Sequence, residues 1–161
     1  MIERRINVSL SAQKLELFDD NHLLGSYLIS TSKYGEGELA NSFKTPRGRH
    51  IIRAKIGAGV EKGTVFEGRR ATGEVFSEQL ALNDPDRDWV LTRILWLSGT
   101  EVGRNRLGSV DTMRRFVYIH GTPYVNRLGN PGSLGCIRMS CADITELYEL
   151  VSVGTTVEII S

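Results

Sequence analysis

Ile119-His120-Gly121-Thr122-Pro123, a loop rich in Gly, Asn and Pro, then Ser133-Leu134-Gly135-Cys136-Ile137-Arg138-Met139: the reading of the chain turns on this stretch. It sets a histidine and a cysteine sixteen positions apart, each with glycine beside it. A thiol nucleophile needs a base within hydrogen-bond reach, and acyl transfer needs backbone N–H groups around the nucleophile. Glycine allows both close backbone approach and positive φ. Just upstream, Phe116-Val117-Tyr118-Ile119-His120 reads as a strand. A period of two puts Phe116, Tyr118 and His120 on one face and Val117 and Ile119 on the other. Just downstream, Ser140 reads as an N-cap with Asp143 three residues on, and Ile144, Leu147, Tyr148 and Val151 follow at i, i+3, i+4, i+7. A strand end therefore aims the imidazole, and a helix anchors the chain soon after the thiol.

The chemistry of this pair has identifiable requirements. A free thiol titrates near 8.5 and needs an imidazole to become a nucleophile at neutral pH. Cys136 also precedes the expected N-cap closely enough for the helix dipole to favour negative charge, geometry permitting. Ser133, Leu134, Gly135 and Cys136 itself offer backbone N–H groups for an oxyanion hole. No acid lies near His120 in sequence, so a carbonyl of the Gly121-Thr122 turn or a distant residue must orient the ring. Arg138 is placed to hold a substrate carboxylate or to buttress the loop. The competing reading is that Cys136 fills core and His120 is structural. Gly-x-Cys ending a Gly/Asn/Pro loop argues against simple core filling. Cys141, at the helix start without glycines, reads as core packing.

Working outward, the chain is mostly short strands. Ile6, Val8 and Leu10 alternate with Asn7 and Ser9, and Leu15-Glu16-Leu17-Phe18 and the segment from Leu23 to Ser30 follow after turn residues. These are a β-meander. Thr45-Pro46-Arg47-Gly48 is a turn, 51–56 a strand, and the apolar run from Trp89 to Leu97 a buried strand. Arg93 inside that run reads first as a solvated edge position. The segment 57–88, with five glycines and many charges, is expected to form hairpins and loops that partly cover the site. Gly154 ends the helix and a final strand runs over 156–160. Many short strands and one helix predict a mainly β fold, a sandwich or open barrel, in one domain over residues 1–161.

Composition narrows the function. A net charge of +1 with scattered Lys and Arg gives no reason to invoke nucleic acid, and no apolar run is long enough to span a bilayer. The two cysteines are spaced C-x4-C and match no zinc pattern with His22, His50 or His120, so neither a metal nor another cofactor is expected. The first residues lack the apolar core of a signal peptide, so the chain as written is expected in the cytosol with both cysteines reduced. A missing upstream signal would move that expectation to the periplasm or cell wall. Oligomeric state is not legible.

At these residues the sequence resembles the catalytic domain of the L,D-transpeptidases (YkuD-type), whose signature is His-Gly followed at a similar distance by Ser-x-Gly-Cys-x-Arg. It stands here as His120-Gly121-Thr122 and Ser133-Leu134-Gly135-Cys136-Ile137-Arg138-Met139. Val8-Ser9-Leu10-Ser11-Ala12-Gln13, Ser30-Thr31-Ser32, Thr45-Pro46-Arg47-Gly48 and Gly154-Thr155-Thr156-Val157 extend the likeness over nearly the whole chain. One departure is Leu134, where many members carry histidine. The resemblance implies a mainly β fold and cysteine acyl transfer on peptidoglycan stem peptides, with Cys136 as nucleophile, His120 as base and Gly121 beside it. It implies an oxyanion hole and substrate contacts from Ser133, Leu134, Gly135, Arg138, Thr122 and Tyr118, and acylation of Cys136 by carbapenems. The acyl group then passes to water, trimming soluble muropeptides as an L,D-carboxypeptidase, or to an amine, cross-linking the third residues of two stems. The expected cytosolic location favours water. A non-catalytic muropeptide-binding module is the remaining alternative.

Overall fold

The computed structural model describes residues 3–161. The meander forms as β1 (Arg4–Ser9), β2 (Lys14–Asp19) and β3 (His22–Leu28). Its alternation is physical: Ile6, Val8, Leu15 and Leu17 are wholly buried. There follow β4 (Gly48–Ile56), the hairpin β5 (Thr64–Glu67) and β6 (Arg70–Val75), α1 (Glu78–Asn83), β7 (Val90–Gly99), β8 (Tyr118–Thr122), β9 (Ile137–Ser140), α2 (Cys141–Leu150) and β10 (Thr156–Ile160).

The strands make one sheet in the order β3-β2-β1-β10-β4-β7, and β7 then forks, to β5-β6 on one branch and β8-β9 on the other. The pairs β1·β10 and β8·β9 are parallel and the others antiparallel. Two bridges, Ser30 to Arg138 and Ser32 to Ser133, carry the segment after β3 round to the β9 side. The sheet thus curls into a half-barrel around one large apolar cluster. α2 turns Ile144, Leu147 and Tyr148 into that cluster, and Ser140 caps it by accepting the Asp143 N–H at 3.0 Å.

Three local expectations are corrected. Phe116 is not in a strand: its φ is +56° at the end of a 3-10 turn, and β8 starts only at Tyr118. The 57–88 segment contains a second helix, α1, capped by Ser77, whose single turn and a half is too short to show an apolar stripe. Arg93 is buried, donating to the carbonyls of Val60 (3.0 Å) and Thr92 (2.8 Å), with its guanidinium over the Tyr148 ring. An irregularity between Leu91 and Ile94 shifts the β7·β8 register, with Thr92 at φ +76°. That brings the Leu91 carbonyl so close to Gly121 that a Cβ there would lie 2.6 Å from it.

Candidate active site

β8 and β9 run side by side, so His120 stands opposite Arg138 while Cys136 lies just before β9. The imidazole is wholly buried, and its Nδ1 lies 2.8 Å from the Gly121 carbonyl oxygen. A carbonyl only accepts, so Nδ1 carries the proton and Nε2 presents its lone pair. Nε2 is buried with no hydrogen-bond partner among the described residues. Burial holds the imidazole below its ordinary pKa, opposed by the nearby Asp88 carboxylate and the Gly121 carbonyl. The result is a neutral, oriented imidazole with a free acceptor, its ring fixed by the Gly121 main-chain carbonyl.

Cys136 is partly exposed at the floor of a cavity, with protein packed around its thiol on the other sides. Sγ lies 3.3 Å from the Tyr118 N–H and 3.5 Å from the Phe116 carbonyl. Burial pushes the thiol up to about 12, with Asp88 adding to the rise and the Tyr118 N–H, Arg138 and Arg115 opposing it. Sγ and Nε2 share no hydrogen bond here: the thiol donates to the Phe116 carbonyl and Nε2 is unpartnered, so both groups rest neutral. Proton transfer to the imidazole requires the thiol to leave the Phe116 carbonyl. The helix dipole contributes nothing at Cys136: four residues of extended β9 separate it from the α2 N-terminus, roughly 13 Å of chain.

The neighbours divide into those that touch the cavity and those that build it. Leu134 is half-exposed at the rim and Gly135 lines the wall. The Gly135 N–H is already donated to Ser133 Oγ at 3.2 Å, so it is not an oxyanion donor in this conformation. Ser133 donates in turn to the Cys136 carbonyl at 2.6 Å, and Thr45 donates to the Gly135 carbonyl at 3.0 Å. Gly135 sits at φ +124°, which only glycine adopts freely. Tyr118 serves Sγ through its main chain, while its ring packs edge-on to Trp96 and its hydroxyl accepts from Arg69 at 3.0 Å. Arg69, at the turn of the β5–β6 hairpin, also lies over Trp96 and Phe116. The hairpin therefore reaches the edge of the site. Thr122 borders a different cavity, beside Cys141, apart from Cys136. Arg138 is turned inward, 2.7 Å from Asp88 and 3.2 Å from the Gly132 carbonyl, and buttresses the loop.

Asp88 has no sequence pattern that marks it; it stands in a polar loop before β7, and only the fold brings its charge to bear on both His120 and Cys136. Arg114 and Arg115 were equally hidden, in a 3-10 turn that carries them to the cavity at Cys136.

The profile of the L,D-transpeptidase catalytic domain (YkuD) matches residues 3–159. The chain belongs to that family. Among curated proteins nothing matches. Among solved structures, an L,D-transpeptidase from Mycobacterium smegmatis is similar at 20% identity and TM-score 0.59, over 99% of this chain and 59% of that one. L,D-transpeptidase 3 from Mycobacterium tuberculosis, in complex with a faropenem-derived adduct, is similar at 18% identity and TM-score 0.63, over 99% and 61%. A cysteine-to-serine mutant of an Enterococcus faecium L,D-transpeptidase is similar at 18% identity and TM-score 0.60, over 98% and 50%. At these identities the likeness speaks for the fold, and the L,D-transpeptidase chain described here spans between half and about three fifths of those proteins.

Proposed function

We propose that this L,D-transpeptidase-family domain is a cysteine acyl-transferase on peptidoglycan tetrapeptide stems and that water is its usual acceptor. The observation that carries the reading is His120: wholly buried, fixed through Nδ1–H to the Gly121 carbonyl, its Nε2 unpartnered, on the strand that pairs with β9 directly after Cys136. In the first half-reaction Nε2 takes the Cys136 proton as Sγ attacks the carbonyl of the third stem residue. The C–N bond to D-alanine breaks, and the imidazolium returns its proton to the departing amine. In the second, Nε2 deprotonates water, which attacks the thioester, and the sulfur leaves with that proton. The sum is hydrolysis: tetrapeptide and water give tripeptide and D-alanine. The N–H groups of Leu134 and Cys136 are the candidate oxyanion donors, since that of Gly135 is engaged.

Water is the acceptor that needs no second stem bound at the site, and Cys136 is partly exposed to it. The substrates would then be muropeptides whose stems end in D-alanine. One incubation with disaccharide tetrapeptide, read by mass spectrometry, tests this. Loss of D-alanine alone supports hydrolysis, and cross-linked dimers would show an amine acceptor instead. Neither product, together with no carbapenem adduct on Cys136, would sink the enzymatic reading and leave a muropeptide-binding module.

A further inference from the structure

The cavity at Cys136 carries two guanidinium-bearing residues, Arg114 and Arg115, and no acid lines it. Arg115 is partly buried, and its hydrogen bonds go to the Gly37 carbonyl (3.3 Å), Ser42 Oγ (3.4 Å) and the Lys44 carbonyl, all neutral. Among the described residues neither arginine enters an ion pair, whereas Arg47, Arg87, Arg104 and Arg138 each have an acid partner. Glu38, the acid whose field reaches Arg115, is committed to Arg47 at 3.0 and 3.1 Å. A cation withdrawn from water without a counter-ion is costly, and such a group is kept where an anion arrives with a ligand. Burial indeed pulls Arg115 below its ordinary value, and its charge and that of Cys136 act on each other, which sets it within electrostatic reach of the thiol.

We propose that Arg115, with Arg114 beside it, is the receptor for the free α-carboxylate of the D-amino acid that leaves. Resting on the reading of the proposed function, this makes the site one for the last bond of a stem rather than an internal one. With the scissile carbonyl over Sγ, that carboxylate is one residue away, about 3.5 Å of chain. Arg115 also ties the 37–44 segment to the site, so the wall that bears Asn41 and Phe43 is held by the group that receives the anion.

The test is a substrate pair: disaccharide tetrapeptide with its terminal carboxylate, and the same compound as the terminal carboxamide. Charge-assisted pairing predicts that the wild-type protein prefers the acid by about ten- to a hundred-fold in kcat/KM, chiefly through KM. Arg115→Gln should lose most of that preference, and Arg115→Lys should keep part of it. Arg114→Gln, at an exposed side chain that makes no hydrogen bond or ion pair among the described residues, leaves the Arg115 ties to the 37–44 segment intact and should reduce the preference while that segment stays in place. Equal turnover of acid and amide by the wild type overturns the receptor while leaving the hydrolase intact. A preference that survives in all three variants also overturns it, because the carboxylate is then read elsewhere. Turnover of neither compound overturns both.

Discussion

In the proposed reaction His120 is the base, and the acid limb of the rate should betray its burial. Accepting the Cys136 proton requires neutral imidazole, and desolvation holds its pKa below the ordinary 6.5. The plateau of kcat/KM is therefore expected to extend below pH 6.5, and an acid limb at or above that value would contradict the assignment. Asp88 opposes the shift, so Asp88→Asn should move the limb further to the acid side, and the unpaired Arg138 it leaves acts in the same direction. A pH–rate profile of the two proteins checks both statements. At this scale the sequence was legible where chemistry is local: His120-Gly121 and Gly135-Cys136 announce themselves by composition and spacing. Asp88 and Arg115 reach the thiol only through folding of distant segments, and nothing beside either in sequence marks it.

Among the elements, α2 was the most legible because cap and stripe agree: Ser140 accepts from Asp143, and Ile144, Leu147 and Tyr148 are buried. Its stop was not, for the helix ends at Leu150 with Val151 already extended, ahead of Gly154. Ser140→Ala is expected to cost about 1 kcal/mol, read as a lower denaturant midpoint at unchanged slope. Because Ser140 also ends β9, opposite Thr122, the loss should reach the strand that follows Cys136 and slow turnover. Elements were misread where a special backbone replaces the period. Phe116 looks like the next residue of an alternating strand, yet it closes a 3-10 turn with positive φ. Arg93 looks like a solvated break in an apolar run, yet backbone irregularity in β7 turns it into the protein, where two carbonyls receive it. Neither feature has a sequence period to read.

For the whole molecule, stability should depend on pH through His50. Its ring is wholly buried between the Gly48 carbonyl (3.0 Å from Nδ1) and the Thr112 hydroxyl (2.9 Å from Nε2), tying β4 to the segment that carries Arg114 and Arg115. Burial lowers its pKa from 6.5 to about 4. Between those values the unfolded chain binds the proton and the folded one does not, so stability is full above pH 6.5 and falls as the pH drops toward 4. The loss is at most about 3 kcal/mol. Urea titrations across that window should show it, and a neutral His50→Gln variant should flatten the dependence while being less stable at pH 7. The half-barrel itself was legible in class, since alternating short runs demand a sheet. Its strand order was not, because pairing partners are set by closure and not by local pattern.

The place of β10 in that order has a consequence for how the chain reaches its native state. β10 is the slat between β1 and β4, and its register joins Arg5 to Thr156 across almost the full length of the chain. Until it arrives, the meander can fold locally but its β1 edge lies open. Closing so distant a pair is entropically slow and belongs to the millisecond-to-second regime of high contact order. During that interval β1 is a bare template for another copy of the same chain. Assembly therefore races self-association, and the yield of active protein should fall as refolding concentration rises even though the finished barrel is sound.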